Sequence, residues 1–357
     1  MNCDALIIGG GPAGSATALS LKKHAPQLSI VLVEASSYGQ PRAGEVLPAL
    51  AAGLMGRLDI RQAFEKEKFP NVHSSLSVWG QPDAYENHFI FSPHGPGWHL
   101  DRKNFDAFLA RQAEQKGTRL LLDSLVKTFA REKGLWHATL ADGIDIHARF
   151  IVDATGRRAF FARKMGATVN SRDRLMSFSR MFTLDEKPAP ETTVEAFEHG
   201  WWYTARAGNE RVISCLTDAD IAKKLKLNDE GHWLDLLSQT SQIKASAGGS
   251  EIKDEFMTRA AGSVLMSKVA ADDWLSVGEA ASAFDPLSSQ GIVKSLRAGI
   301  FASYAVADLL CNASEIAAAR YEKFVRTEFA SYLELRKKHY SNERRWGNSP
   351  FWQRRQN

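Results

Sequence analysis

Apolar residues fall into short continuous runs near both ends of the chain and alternate with polar ones in its middle. Ala5-Leu6-Ile7-Ile8 and Ser29-Ile30-Val31-Leu32-Val33 are runs of strand length, as expected of parallel strands buried on both faces. The alanine-rich stretch between them predicts a helix from about Ser15 to His24. Leu100 to Leu109 begins a second helix that runs to about Gln115, and Leu120 to Val126, Trp136 to Leu140 and Ile144 to Val152 read as strands. From roughly Val169 to Met266 the period shortens to two. Met176 to Phe182, Thr192 to Glu198, Trp201 to Ala205 and Arg211 to Leu216 predict an antiparallel sheet, with a polar, helix-like stretch from Asp218 to Thr240 inside it. Phe69 to Phe91 is expected to add strands to that layer. Trp274 to Val277 is again a short apolar run, after which Ile292, Leu296, Ile300, Tyr304 and Ala307 recur at helical spacing through Leu310.

The pattern predicts an α/β protein with an inserted antiparallel layer. Residues 1–68, 92–168 and 267–320 would form a discontinuous nucleotide domain, 69–91 and 169–266 a substrate-facing domain, and 321–357 a C-terminal helix with a basic, aromatic tail. Lys337, Lys338, Arg344, Arg345, Trp346, Phe351, Trp352, Arg354 and Arg355 mark that tail. It reads either as an amphipathic helix with a frayed, solvated end or as a docking patch for a macromolecule.

Composition narrows the class. The 357 residues are 44% hydrophobic and 24% charged, a balance that suits an enzyme with a substantial core. A formal charge of +4 argues against nucleic acid as a partner. Cys3, Cys215 and Cys311 form neither a disulfide framework nor a metal cluster, which suits a reducing, cytoplasmic setting. No apolar window is long enough to span a membrane, and the N-terminus enters a strand directly.

The first strand ends in Gly9-Gly10-Gly11-Pro12-Ala13-Gly14, and the second in Glu34-Ala35. Strand, glycine turn, helix, strand and terminal carboxylate together make a dinucleotide fingerprint. Gly9 permits the tight turn, Gly11 lets the backbone approach a pyrophosphate, and Gly14 lets the helix pack close to the strand. Free N–H groups of the first helical turn then face the phosphates. Glu34 can accept ribose hydroxyls and would repel a 2′-phosphate. A second polar docking place follows the strand at Trp274, where Gly278-Glu279-Ala280-Ala281 and Phe284-Asp285-Pro286-Leu287-Ser288-Ser289-Gln290-Gly291-Ile292 combine a carboxylate, a proline turn and a helix start.

These blocks, with Asp153-Ala154-Thr155-Gly156-Arg157 between them, resemble the aromatic-hydroxylase-like flavoproteins. That superfamily includes phenolic hydroxylases, flavin-dependent tryptophan halogenases and geranylgeranyl reductases. The resemblance implies a glutathione-reductase-type fold holding FAD. By position, Gly9, Gly11 and Gly14 would hold the pyrophosphate, with Pro12 and Ala13 beside it, and Glu34 and Ala35 the adenosine ribose. Arg42 and Gly44, in the stretch Gln40 to Glu45, would lie on the cofactor side, and Arg102 would reach the cofactor from its helix. Asp153 and Gly156 would sit near the adenine half. Gly278 and Glu279 stand where the family has Gly-Asp against the ribityl chain, and Pro286, Gln290, Gly291 and Ile292 would front the flavin.

The segments GEVLP, GWWY and DPLSSQG resemble the tryptophan-halogenase side of the superfamily. However, Asn71 to Trp79 lacks the lysine that halogenases place between flavin and substrate. FDPLSSQGI is also similar to the flavoproteins that mature cysteine tryptophylquinone in bacterial lysine ε-oxidase and glycine oxidase. This resemblance implies a monooxygenase acting on a tryptophan inside an oxidase precursor, using molecular oxygen and an unidentified electron donor. Glu45 is a candidate catalytic residue for polarising the indole, or else a structural carboxylate, and His73 a candidate base or a surface histidine. Trp201, Trp202 and Tyr203 would line an aromatic pocket or fill a strand core. A small-molecule aromatic hydroxylase, a tryptophan halogenase and a non-catalytic flavin-binding chaperone are the alternatives.

Overall fold

The computed structural model describes residues 1–40, 42–89, 95–183, 192–248 and 251–356. Pro41 and Phe91, which fall within segments read from the sequence, lie outside the described residues.

The continuous apolar runs pair as parallel strands. Strands β1 (Asn2–Ile8), β2 (Ile30–Val33), β8 (Arg119–Leu121), β11 (Asp145–Asp153) and β20 (Trp274–Ser276) lie side by side in the order β20-β11-β1-β2-β8, all parallel. β19 (Ala270–Ala271) adds antiparallel to β20, and β9 (Val126–Glu132) and β10 (Leu135–Leu140) form an antiparallel extension on β11. The apolar run from Leu120 to Val126 is not one strand. The chain turns at Asp123, whose φ is +50°, and exposes Leu122 and Leu125 before β9 begins.

Helices α1 (Pro12–His24), α4 (Arg102–Gln115) and α9 (Gly291–Asn312) pack together beside this sheet. Small residues set the α1–α9 distance: a Cβ on Gly299 would fall 2.6 Å from Ala16 Cβ and 2.7 Å from the Ala13 carbonyl oxygen. Helix α2 (Ala51–Arg57) packs against α9, α3 (Arg61–Lys66) against α2, and α5 (Phe160–Lys164) against β11. None of the described helices is long and apolar enough to cross a membrane.

The alternating middle of the chain forms a seven-stranded sheet: β17 (Ile252–Ala260), β13 (Leu175–Thr183), β16 (Glu210–Asp218), β15 (Gly200–Ala207), β14 (Thr192–Phe197), β5 (Ser74–Val78) and β6 (Tyr85–His88), in that order. Neighbours are antiparallel except β14 and β5. Helices α6 (Ala219–Lys224), α7 (Glu230–Ser238) and α8 (Gln242–Ala247) arise from the polar stretch and its continuation. α7 and α8 lie among the residues that cover one sheet face around Trp202, Ile213, Cys215 and Trp233. Two three-stranded sheets join the layers: β3 (Val46–Leu47), β7 (Gly97–His99) and β4 (Asn71–Val72), and β12 (Val169–Ser171), β18 (Val264–Met266) and β21 (Ser282–Ala283).

The C-terminal segment packs one face onto the fold, while Lys337, Lys338 and Arg344 stay exposed. Helix α10 (Ala317–Ser341) leads to α11 (Pro350–Gln356), in which Phe351 and Trp352 are fully buried. Buried Asp218, at the end of β16, accepts from Arg354 at 2.8 Å and from Arg355 at 2.5 Å. The charges that read as a basic patch are thus partly neutralised within the fold, and the aromatic residues complete a core.

Candidate active site

The glycine turn after β1 has the geometry a pyrophosphate needs. Gly9 has φ +110°, and a Cβ there would fall 2.4 Å from the Ala154 carbonyl oxygen. A Cβ on Gly14 would fall 2.0 Å from the Gly9 carbonyl oxygen, so any side chain would force α1 off the strand. Gly11 is different: a Cβ there meets nothing within 4 Å. Gly11, Pro12 and Ala13 open onto a cleft of about 1270 Å³, where the first turn of α1 presents unpaired N–H groups and the positive end of its dipole. The cleft exceeds an ordinary small-ligand pocket, as a dinucleotide with a tricyclic ring requires. The open position at Gly11 and the close packing at Gly9 and Gly14 fit FAD.

Glu34 and Ala35 line the same cleft. Glu34 Oε2 accepts from the Gly10 N–H at 2.8 Å, which holds the turn and leaves that oxygen a second lone pair for a ribose hydroxyl. Its Oε1 accepts from Ser36 at 2.6 Å and Arg42 at 2.8 Å. The Tyr38 hydroxyl fixes the other side of the turn by donating to the Gly10 carbonyl at 2.9 Å.

A fully buried carboxylate organises the arginines. Asp106 accepts from Arg102 through Nε at 2.9 Å and Nη2 at 3.0 Å, and from Arg42 Nη1 at 3.1 Å. Arg102 also donates to the Ala43 carbonyl. Gly44, at φ +109°, lets this guanidinium approach, because a Cβ there would lie 2.5 Å from its Nη1. Sequence reasoning assigned no role to Asp106 or Tyr38. The signal for Asp106 was available as the one-turn spacing from Arg102 on a helix.

The other two blocks divide between lining the cleft and shaping its walls. Gly156, Glu279, Pro286, Gly291 and Ile292 line it; Asp153, Gly278 and Gln290 do not. Asp153 is buried inside its own turn, accepting from Thr155 N–H at 3.0 Å, Thr155 hydroxyl at 2.7 Å and Ala162 N–H at 2.8 Å. It therefore shapes the turn instead of facing the adenine half, and burial raises its carboxyl. Gly278, at φ +64°, packs against α1, where a Cβ would fall 2.5 Å from Ala13 Cβ. Glu279 sits 3.3 Å from Arg157 Nε, and Arg157 is itself anchored on the Gly262 and Phe284 carbonyls. Asp285 is buried and accepts from Leu287 N–H at 2.9 Å and from the Tyr340 hydroxyl at 2.8 Å, so α10 holds the Asp285–Ser289 loop. Beneath that loop, buried Lys294 donates to the Gly278 carbonyl at 2.7 Å and to the Ser282 carbonyl. Burial lowers the Lys294 ammonium to about 8.

Opposite the nucleotide cradle, the seven-stranded sheet forms the far wall. Side chains alternate along a strand, so Trp201 and Tyr203 face the cleft while Trp202 faces the opposite side. There Trp202 stands edge-on to Trp233, with ring centroids 5.1 Å apart, as a core residue and not a substrate-lining one. Trp201 is almost wholly buried, and its Nε1 donates to the Tyr340 hydroxyl at 3.0 Å. Glu45 lines the cleft and accepts a hydrogen bond from Tyr203. Burial raises both the Glu45 carboxyl and the Tyr203 phenol. His73 is exposed between β4 and β5 and does not line the cleft, so the structure does not bring it together with Glu45. Its position just before β5 turns it toward solvent. Among the described residues, the lysines lining the cleft are Lys103 on α4 and Lys127 on β9, neither of them on the seven-stranded sheet.

The family model described as Tryptophan halogenase matches residues 4–95 and 82–357. LodB of Marinomonas mediterranea, named as an FAD-dependent oxidoreductase, is 28% identical over 99% of this chain and 96% of its own. The myxobacterial chondrochloren halogenase CndH has a similar fold, with a TM-score of 0.88 at 22% identity over 99% of this chain and 86% of that one. The fold is also similar to that of the peptidyl tryptophan dihydroxylase QhpG, with a TM-score of 0.80 at 21% identity over 100% of this chain and 79% of that one.

Proposed function

The chain belongs to the Tryptophan halogenase family and is a flavin-dependent oxidoreductase that uses FAD, and from that premise we propose that it hydroxylates a tryptophan within a polypeptide, the precursor of an oxidase that carries cysteine tryptophylquinone. The observation that carries this reading is the cleft itself. It joins a dinucleotide cradle to a sheet wall that bears Tyr203, with Glu45 beside it just before β3, and among the described residues no lysine of that sheet lines the cleft. Halogenation in this family calls for an amine between flavin and substrate. The likeness to QhpG, whose own substrate is a peptidyl tryptophan, supports the oxygenation side.

When bound and reduced, FAD supplies the activation of molecular oxygen for transfer to an electron-rich ring. The chain's own residues bind, orient and exclude water. Gly9, Gly11 and Gly14 with the first turn of α1 would hold the pyrophosphate, and Glu34 the ribose. Arg42, Arg102 and Gly44 would brace the cofactor from one side, and Glu279, Pro286, Gly291 and Ile292 from the other. The apolar side chains of Met181, Val212, Leu216 and Met257 would exclude water from the ring site. Glu45 would take the ring proton that oxygen replaces, with Tyr203 steadying it. A quinone product needs two oxygens in one ring, hence two rounds or one round and a further oxidation. The electrons come from an outside donor.

The test is incubation of the FAD-loaded protein with a reductant, oxygen, chloride and bromide, using the precursor polypeptide in one arm and free tryptophan in the other. Peptide masses should show oxygen on one precursor tryptophan and no change in free tryptophan. Halogen on the ring would establish a halogenase, and oxygen on free tryptophan alone a small-molecule hydroxylase. Precursor binding with reducible FAD and no modification would establish a flavin-binding chaperone.

A further inference from the structure

The cleft wall carries a polar row across three strands whose serines have no role in the site so far described. Ser179 on β13 is the cross-strand partner of Ser214 on β16, and Ser214 is the partner of Tyr203 on β15. Ser179 and Ser214 hydroxyls lie 2.7 Å apart, and Ser177 joins Ser179 at 2.9 Å. All three serines line the cleft, yet Ser179 is 8% and Ser214 5% exposed, so they lie at its floor. Most neighbouring positions on the same face are apolar: Met181 and Val212 on one side, Leu216 on the other, and Met257 beside Ser179, while Arg259 stands opposite Ser177 at the edge of the row.

The hydroxyls of the row satisfy one another, and at the floor of a cleft they can also meet a polar group of a ligand. Each serine hydroxyl has one donor and two lone pairs. The two links in the chain use two of its donors and two of its lone pairs, which leaves acceptor capacity in excess. The near-complete burial of Ser179 and Ser214 suits a side chain reaching down into the cleft. The flanking methionine, valine and leucine side chains suit the faces of a flat aromatic ring.

We propose that the Ser177–Ser179–Ser214 row is the specificity site for the ring N–H of an indole, which donates to the Ser179–Ser214 hydroxyl pair while the apolar neighbours grip the ring. This rests on the peptidyl-tryptophan reading and sharpens it: the row selects indole over rings of equal shape that lack the N–H, and it fixes which ring edge meets the cleft floor. The serines are positioning residues and take no part in proton transfer.

The test is equilibrium binding to the full-length, FAD-loaded, oxidised protein, followed by perturbation of the flavin absorbance. The probes are N-acetyltryptophanamide and its benzothiophene counterpart, which has the same shape without the N–H. Wild type should favour the indole roughly tenfold, the value of one buried hydrogen bond with its acceptor otherwise stranded. The Ser179→Ala/Ser214→Ala double variant should bind the two probes equally, with its affinity for the benzothiophene changed less than about threefold. Ser214→Thr keeps the hydroxyl and should keep the preference, which separates this role from a packing defect. FAD affinity and melting temperature report whether each variant folds. An undiminished indole preference in the double variant, or none in wild type, overturns the proposal while leaving the peptidyl-tryptophan reading standing. If wild type binds neither probe but oxygenates precursor tryptophan, the row is not an indole site. If it binds neither and leaves the precursor unmodified, both readings fall.

Discussion

Replacing Gly11 with alanine should separate cofactor binding from folding. The backbone there has φ −70° and ψ −176°, which any residue adopts, and a Cβ would meet no protein atom within 4 Å. The methyl group costs the FAD-free fold nothing. Restricting the unfolded chain stabilises the protein by about 0.4–1 kcal/mol, a rise in Tm of about 0.5–1.5 °C for a chain of this size. The same methyl occupies the space through which a pyrophosphate approaches the first turn of α1. FAD binding should therefore weaken by about tenfold or more, or at least about 1.4 kcal/mol. Gly14→Ala is the contrasting case. Its Cβ lands 2.0 Å from the Gly9 carbonyl oxygen, backbone against backbone, so overpacking costs about 1–3 kcal/mol or more and both properties decline. Thermal unfolding of FAD-free protein by circular dichroism gives the first quantity, and FAD titration by flavin fluorescence the second. Unchanged FAD affinity in Gly11→Ala would refute the assignment of this turn to the pyrophosphate.

Asp106→Asn removes the buried charge shared by Arg42 and Arg102. It should cost about 2–3 kcal/mol in urea unfolding, below the range for wholly buried pairs because both arginines reach solvent, and should weaken FAD binding as well; wild-type stability would contradict the role given to this carboxylate. Burial raises the Glu45 carboxyl, so its contribution to stability is full below the unfolded glutamate value, about 4.3, and is lost as pH rises through the folded value. Glu45→Gln should accordingly gain stability relative to wild type as pH increases above about 4, and urea midpoints across that range give the sign directly. Trp202→Phe should lower the melting temperature, because the ring packs on Trp233 behind the sheet, yet leave affinity for indole ligands unchanged; a loss of ligand affinity without a loss of stability would place the ring back in the cleft.

The parallel strands and the glycine turn were legible because their signals are local: continuous apolar runs, a turn, a helix and a carboxylate within one short stretch of chain. Trp202 could have been assigned from the same kind of signal. Period-two alternation in β15 places Trp201 and Tyr203 on one face and Trp202 on the other, and only the burial of both faces hides it. Asp153 and Gly278 stand at turn positions where shaping a wall and touching a ligand look alike in sequence. The C-terminal segment misled for a different reason. Arg354 and Arg355 meet Asp218, and Tyr340 meets Asp285, through contacts between distant parts of the chain that no local pattern encodes. The serine row has the same origin, since Ser179 and Ser214 become neighbours only once β13 and β16 are paired in register.

The central claim, oxygen transfer to a tryptophan held in a polypeptide, is tested most directly by a single turnover. FAD-loaded protein is reduced without air, mixed with the oxidase precursor and exposed to isotopically heavy molecular oxygen. The precursor is then digested and its tryptophan peptides weighed. Heavy oxygen on one tryptophan is the predicted result. Reoxidation of the flavin with every tryptophan unchanged, or with oxygen that came from water, would contradict the account.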